Sequence, residues 1–179
     1  MSKRLPGLDR VRYDEADVQR MTREGLQGEC RLPAPPFLML DRVMSIAADG
    51  GDSGRGHVHA EKDLAPDEWF FRAHFTNDPV MPGSLGVEAL LQLCGLFLSW
   101  SGASGQARAL AVGETVFDGM IRPHHSKVRY ELSVRRLVWE PVPLVIADGV
   151  VILEGKTIYT VRGMKVGVFD LPYPIPAGA

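Results

Sequence analysis

The chain has 179 residues, 45% hydrophobic and 23% charged, which is enough for one well-packed domain, spanning 1–179, and too short to require two. A formal net charge of -2, with no block of like charges, leaves no electrostatic footprint for a nucleic-acid partner. The two cysteines, Cys30 and Cys94, show no paired spacing and the opening "MSKRLPGLDRVRYDEADV" has no apolar core of a signal peptide, so a cytoplasmic protein with free thiols is expected.

In chain order, "YDEADVQRMTREGL" (13–26) predicts a short surface helix as an N-terminal extension, with Val18 and Met21 three apart among charges, Asp14 as N-cap and Gly25 as stop. A proline-punctuated loop then passes into an apolar run, Phe37 to Ile46, that reads as a strand. "ADGGDSG" is a turn, and "RGHVHAEKDL" a second strand that can close a hairpin. Next comes "RAHFTNDPVMPGSLGVEALLQL" (72–93), where turn-formers give way to an apolar run carrying one carboxylate, Glu88. The window Ser84 to Trp100 falls short of the roughly 20 residues that span a bilayer and contains Glu88 and Gln92, so it reads as a core helix and no membrane is expected.

"SGASGQA" reads as a loop, after which the period changes to two: "ALAVGETVFDG", "KVRYELSVRRLV" with Val128, Tyr130, Leu132 and Val134 on one face, "PLVIADGVVILEG" and "KTIYTVRGMKVGVF". These predict a meander of four antiparallel strands, followed by a proline-rich surface tail, "DLPYPIPAGA". A helix apolar nearly all round must be covered on most sides, and one antiparallel sheet curled around it does so. The fold class expected is α+β with a wrapped central helix.

His74 and Glu88 are the candidate catalytic pair. Gly83 stands immediately before the first turn of the helix, where backbone N–H groups lack intrahelical partners and the dipole is positive, so an oxyanion or a polarised carbonyl oxygen can bind closely there. An imidazole removes a proton near neutral pH, whereas a carboxyl desolvated in an apolar helix holds one to donate to a leaving hydroxyl. Gln92, at i+4 from Glu88, can hold the carboxyl in orientation. Together these point to loss of water from a 3-hydroxyacyl compound.

Each residue has a plainer reading. A lone histidine after an aromatic run is usually structural, and proline and glycine ahead of a helix usually make only a turn. A buried unpaired carboxylate is harder to explain that way, because its burial is costly. His57 with His59, and His124 with His125, lack the acidic or cysteine spacing of a metal site and read as solvated positions. Lys127, Arg129, Arg135, Arg136 and Lys165 form either a solvated face or a surface for an acidic partner.

The segments "LPAPPFLMLDRV", "WFFRAHFTNDPVMPGSLGVEALLQL", "RALAVGETVFDG" and "LVIADGVVILEGKTIYTVRGMKVGVF" resemble bacterial 3-hydroxyacyl-acyl carrier protein dehydratases of the FabA type, from about Asp14 to Phe169. The resemblance implies the hot-dog fold and a homodimer with shared active sites, His74 from one chain meeting Glu88 of the other. It implies that the Gly83 N–H binds the thioester carbonyl, with Ser84 beside it. The substrate would arrive on an acyl carrier protein bearing a 3-hydroxyacyl chain, and no cofactor or metal is implied. Members that also isomerise the product typically carry aspartate in place of Glu88 and cysteine in place of Ser84. Glutamate is typical of purely dehydrating relatives and of dehydratase domains of polyunsaturated fatty acid synthases. At "WEPVPL" (139–144) a basic carrier-docking stretch is replaced. The alternatives are a hot-dog acyl thioesterase, a bifunctional dehydratase and trans-2 to cis-3 isomerase, and a silent carrier-binding subunit.

Overall fold

The structure, a computed structural model, describes residues 12–26 and 30–169; the proline-rich tail lies outside them. The first helix, α1 (Glu15–Glu24), starts at a reciprocal cap: the Asp14 carboxylate accepts from the Asp17 N–H at 2.9 Å, and the Asp17 carboxylate accepts from the Asp14 N–H at 3.2 Å. It stops at Gly25, whose φ of 73° suits glycine, and it buries Val18 and Met21 as their spacing predicts.

The expected hairpin forms from β1 (Arg42–Ala47) and β2 (His57–Asp63), paired antiparallel. The strand begins at Arg42, not at Phe37. Leu38, Met39 and Leu40 are buried, but the Met39 N–H donates to the Gln92 side chain at 3.0 Å instead of to a neighbouring strand. A short helix unforeseen in the sequence, α2 (Trp69–Ala73), follows and buries Phe70 and Phe71. At five residues it is too short to show a helical period.

The long helix, α3 (Gly83–Trp100), is followed by β3 (Gln106–Ala111), β4 (Thr115–Phe117), β5 (Lys127–Val138), β6 (Leu144–Leu153) and β7 (Lys156–Phe169). The sheet runs β1-β2-β5-β6-β7-β3, antiparallel throughout, with β4 also on β7. So β5, β6 and β7 form the expected meander, but the strand predicted ahead of it is two strands that cross to the far edge. The break falls at Gly113, where a Cβ would stand 2.5 Å from the Arg162 carbonyl oxygen, so the chain hugs β7 between β3 and β4. Two residues of the expected loop, Gln106 and Ala107, belong to β3.

The inner face of β5, through Val128, Tyr130, Leu132 and Val134, is buried as its alternation predicts. The sheet wraps α3, and 72% of the helix's residues are buried, the pattern of a core helix. Close approach depends on two glycines. A Cβ on Gly86 would lie 2.8 Å from the Tyr159 ring, and one on Gly149 would lie 2.8 Å from Leu90 Cδ2. Only the flank carrying Val87, Glu88 and Leu91 is half-exposed over the middle of the helix. Replacing Gly86 by valine should lower the free energy of unfolding by about 2–3 kcal/mol, because the rigid tyrosine ring must move, with urea denaturation showing a lower midpoint.

Candidate active site

Glu88 sits on the open flank of α3, half-buried. Gln92, one turn on and itself buried, donates from Nε2 to Glu88 Oε1 at 3.0 Å and to the Phe37 carbonyl at 2.9 Å, while its Oε1 accepts from the Met39 N–H at 3.0 Å. A backbone N–H can only donate and a carbonyl can only accept, so the two loop contacts fix which way the amide faces. One Gln92 N–H is thereby aimed at Glu88. Burial pushes the Glu88 carboxyl above its ordinary range, and the weaker opposing effect is the Gln92 hydrogen bond.

His74 caps the C-terminus of α2, its backbone N–H donating to the Phe70 carbonyl at 2.9 Å. Its ring Nδ1 stands 2.9 Å from the Val80 carbonyl oxygen. That oxygen only accepts, so Nδ1 carries a hydrogen, and in the neutral tautomer the lone pair is on Nε2. The Val80 N–H returns a bond to the His74 carbonyl at 2.8 Å, closing the intervening loop, and the Phe75 ring stacks on the imidazole at 3.9 Å.

Gly83 is the first residue of α3, and Pro82 at the cap provides no side-chain hydrogen bond. The Leu85 N–H turns back to the Pro82 carbonyl at 2.9 Å, while the first-turn N–H groups of Gly83 and Ser84 have no intrahelical acceptor. Phe117 lies over Gly83, where a Cβ would come within 2.6 Å of its ring, and meets Tyr159 edge-on at 4.9 Å.

His74, Gly83 and exposed Ser84 share a cleft of about 620 Å³ with Met81, Phe117, Asp118 and Tyr159. Glu88 and Gln92 line a separate slot of about 180 Å³ between α3 and β3. The chain therefore holds the predicted site residues in two cavities, with the histidine and the helix terminus in one and the carboxyl in the other. The supporting groups Val80, Phe37, Met39, Phe117 and Tyr159 carry no sequence signal, because each acts through a backbone atom or a generic apolar position.

One histidine of each pair serves a turn, and the other, His59 or His124, is exposed. His57 Nδ1 reaches the Asp49 carbonyl at 3.0 Å, and His125 Nδ1 accepts from the Arg122 N–H at 2.9 Å. Among the described residues no group of three or more histidine, cysteine or acidic side chains is placed to hold a metal ion. Of the basic residues, Lys127 and Arg129 pair with buried Glu61 at 2.8 and 2.9 Å, and Arg135 stands 3.6 Å from Asp148. Arg136 and Lys165 are exposed.

A family model described as "FabA-like domain" matches residues 32–162. Among solved structures, the chain is similar to the dehydratase heterocomplex ApeI:P from Xenorhabdus doucetiae, with a TM-score of 0.59 and 14% identity over 76% of this chain and 86% of that one. It is also similar to a thioesterase from Haemophilus influenzae, with a TM-score of 0.54 and 14% identity over 91% and 95% of the two chains. The architecture, an antiparallel sheet wrapped around a long helix, is the hot-dog fold.

A carboxyl with a raised pKa favours the fold when protonated, and that contribution is lost as pH rises through its folded value. Glu88→Gln should therefore melt higher than the parent protein at pH 7.5 and lose that advantage below about pH 4, close to the unperturbed carboxyl value. Because the side chain is half-exposed, the gain should stay below about 1 kcal/mol. Thermal unfolding across pH checks it.

Proposed function

The chain belongs to the FabA-like family, and from that premise we propose that it dehydrates 3-hydroxyacyl thioesters carried on acyl carrier protein to trans-2-enoyl thioesters. It does so as a homodimer in which His74 of one protomer works with Glu88 of the other. One observation carries the reading: a backbone carbonyl fixes which ring nitrogen of His74 can act as a base, and the candidate acid sits where burial favours its proton. His74 gives its Nδ1 hydrogen to Val80 and keeps Nε2 as a base, while burial favours a protonated Glu88.

In the proposed reaction His74 Nε2 removes a proton from C2. Negative charge grows on the thioester oxygen, which the Gly83 N–H at the positive end of α3 receives. Glu88 gives its proton to the C3 hydroxyl, the C3–O bond breaks, water leaves and the C2–C3 double bond forms. The imidazolium and the carboxylate are then reset by passing one proton from His74 to Glu88 through the released water. Gln92 holds the Glu88 carboxyl in orientation, and Ser84 borders the bound thioester. No cofactor enters these steps.

The open edge of the sheet supports the dimer. Among the described residues β3 has a strand partner on one side only, and Leu110, Val112, Val116, Phe117 and Met120 are exposed on this strand and the segment after it. An exposed apolar edge is a liability that a second copy would cover. Glutamate at position 88 and serine at position 84 favour dehydration without isomerisation.

With a 3-hydroxyacyl pantetheine thioester, mass spectrometry should show product lighter by one water with the thioester intact. His74→Ala and Glu88→Ala should each lower turnover by at least about a hundredfold while remaining folded. Free acid as the product would instead establish a thioesterase, and a cis-3 alkene would add isomerisation.

A further inference from the structure

The loop that fixes His74 carries a tie that the proposed proton transfers do not use. Phe75, Thr76, Asn77 and Asp78 are all exposed, so burial does little to hold them. Their own backbone closes a tight turn, the Phe75 N–H donating to the Asp78 carbonyl and the Asp78 N–H to the Phe75 carbonyl, each at 3.1 Å. Downstream, the Met81 N–H donates to the carbonyl of fully buried Ile121 at 2.9 Å. The next residue, Arg122, reaches the turn itself: its Nη1 donates to Asp78 Oδ1 at 2.6 Å. Among the described residues no other side-chain hydrogen bond joins residues 75–79 to the rest of the fold. Arg122 is held in turn. Its carbonyl accepts the His125 N–H at 3.0 Å, its own N–H donates to His125 Nδ1 at 2.9 Å, and its Nη2 lies 3.5 Å from Sδ of Met120, which lines the cleft of His74. Two adjacent residues, Ile121 and Arg122, therefore grip the His74 loop at its end and at its turn.

Resting on the dehydratase reading, we propose that Arg122 is a positioning residue for His74, acting through Asp78 to hold the turn that leads to the Val80 carbonyl beneath Nδ1. An exposed ion pair adds little to the stability of a fold, because water screens it and two side chains must be ordered to form it. Its effect on a reaction is far larger, since a misplacement of about 1 Å can cost about a hundredfold in rate. The pair thus matters more to His74 than to the fold.

Arg122→Ala and Asp78→Ala should each lower kcat on a 3-hydroxyacyl pantetheine thioester about tenfold, with KM changed by less than about twofold. Both side chains reach solvent, so the melting temperature should fall by no more than about 3 °C. Because Arg122 acts through Asp78, the double variant should be no slower than either single one. Arg122→Lys, which keeps one charged donor for the single bond to Asp78, should recover most of the rate. Nitrogen NMR of the His74 ring, assigned against His74→Ala, needs no turnover. At about pH 8, where a free imidazole is neutral, it should show the Nδ1–H tautomer in the parent protein and a mixture of tautomers in Arg122→Ala.

An unchanged tautomer in Arg122→Ala, a rise in KM at constant kcat, or losses that add in the double variant would each overturn the proposal. A disturbed tautomer in Arg122→Ala while no thioester loses water with the parent protein upholds the positioning role and overturns the dehydratase reading. Loss of water at a rate that Arg122→Ala leaves unchanged does the reverse.

Discussion

A carboxyl group on the one incompletely covered flank of an apolar helix is the constraint on which the rest of the site depends. The sheet wraps α3 tightly elsewhere, with Gly86 and Gly149 allowing contact that a Cβ would prevent. The uncovered flank leaves Glu88 half-buried, deep enough to favour its proton and open enough to meet a ligand. Gln92 joins this group to the backbone of residues 37 and 39, so a segment that could have extended β1 is drawn onto the helix instead. Gln92 thus couples the path of residues 37–39 to the orientation of the carboxyl, while burial raises the carboxyl's pKa.

The histidine side is built differently. His74 is fixed by backbone atoms alone, between the end of a five-residue helix and a loop closed twice through Val80. Among the described residues no carboxylate partners the ring: the Val80 carbonyl fixes its tautomer and Phe75 stacks on it. It shares a cleft with the start of α3 and not with Glu88. A site divided in this way, beside an apolar sheet edge, is one that the proposed dimer would complete.

Much of this is legible in the sequence where the physics is local. The Asp14 cap, the Gly25 stop, the alternation through Val128 and Val134, and the length of α3 all follow from neighbours a few residues apart. The raised pKa of Glu88 also follows, since a carboxyl within a long apolar run has few ways to stay hydrated. Long-range choices are hidden. Nothing between Ala109 and Gly119 shows that these residues leave the meander for the far side of β7, because alternation marks a strand without naming its neighbour. The Phe37 and Met39 contacts to Gln92 are hidden too, being backbone groups more than fifty residues away in the chain.

The most direct measurement of a site shared between two chains is complementation by subunit exchange. His74→Ala and Glu88→Ala proteins, each inactive alone, are mixed, allowed to exchange protomers and assayed on a 3-hydroxyacyl thioester. Random exchange should restore about a quarter of the parent activity, since half of the dimers are mixed and each mixed dimer holds one intact site in two. Exchange without any recovery would contradict a site built from both chains.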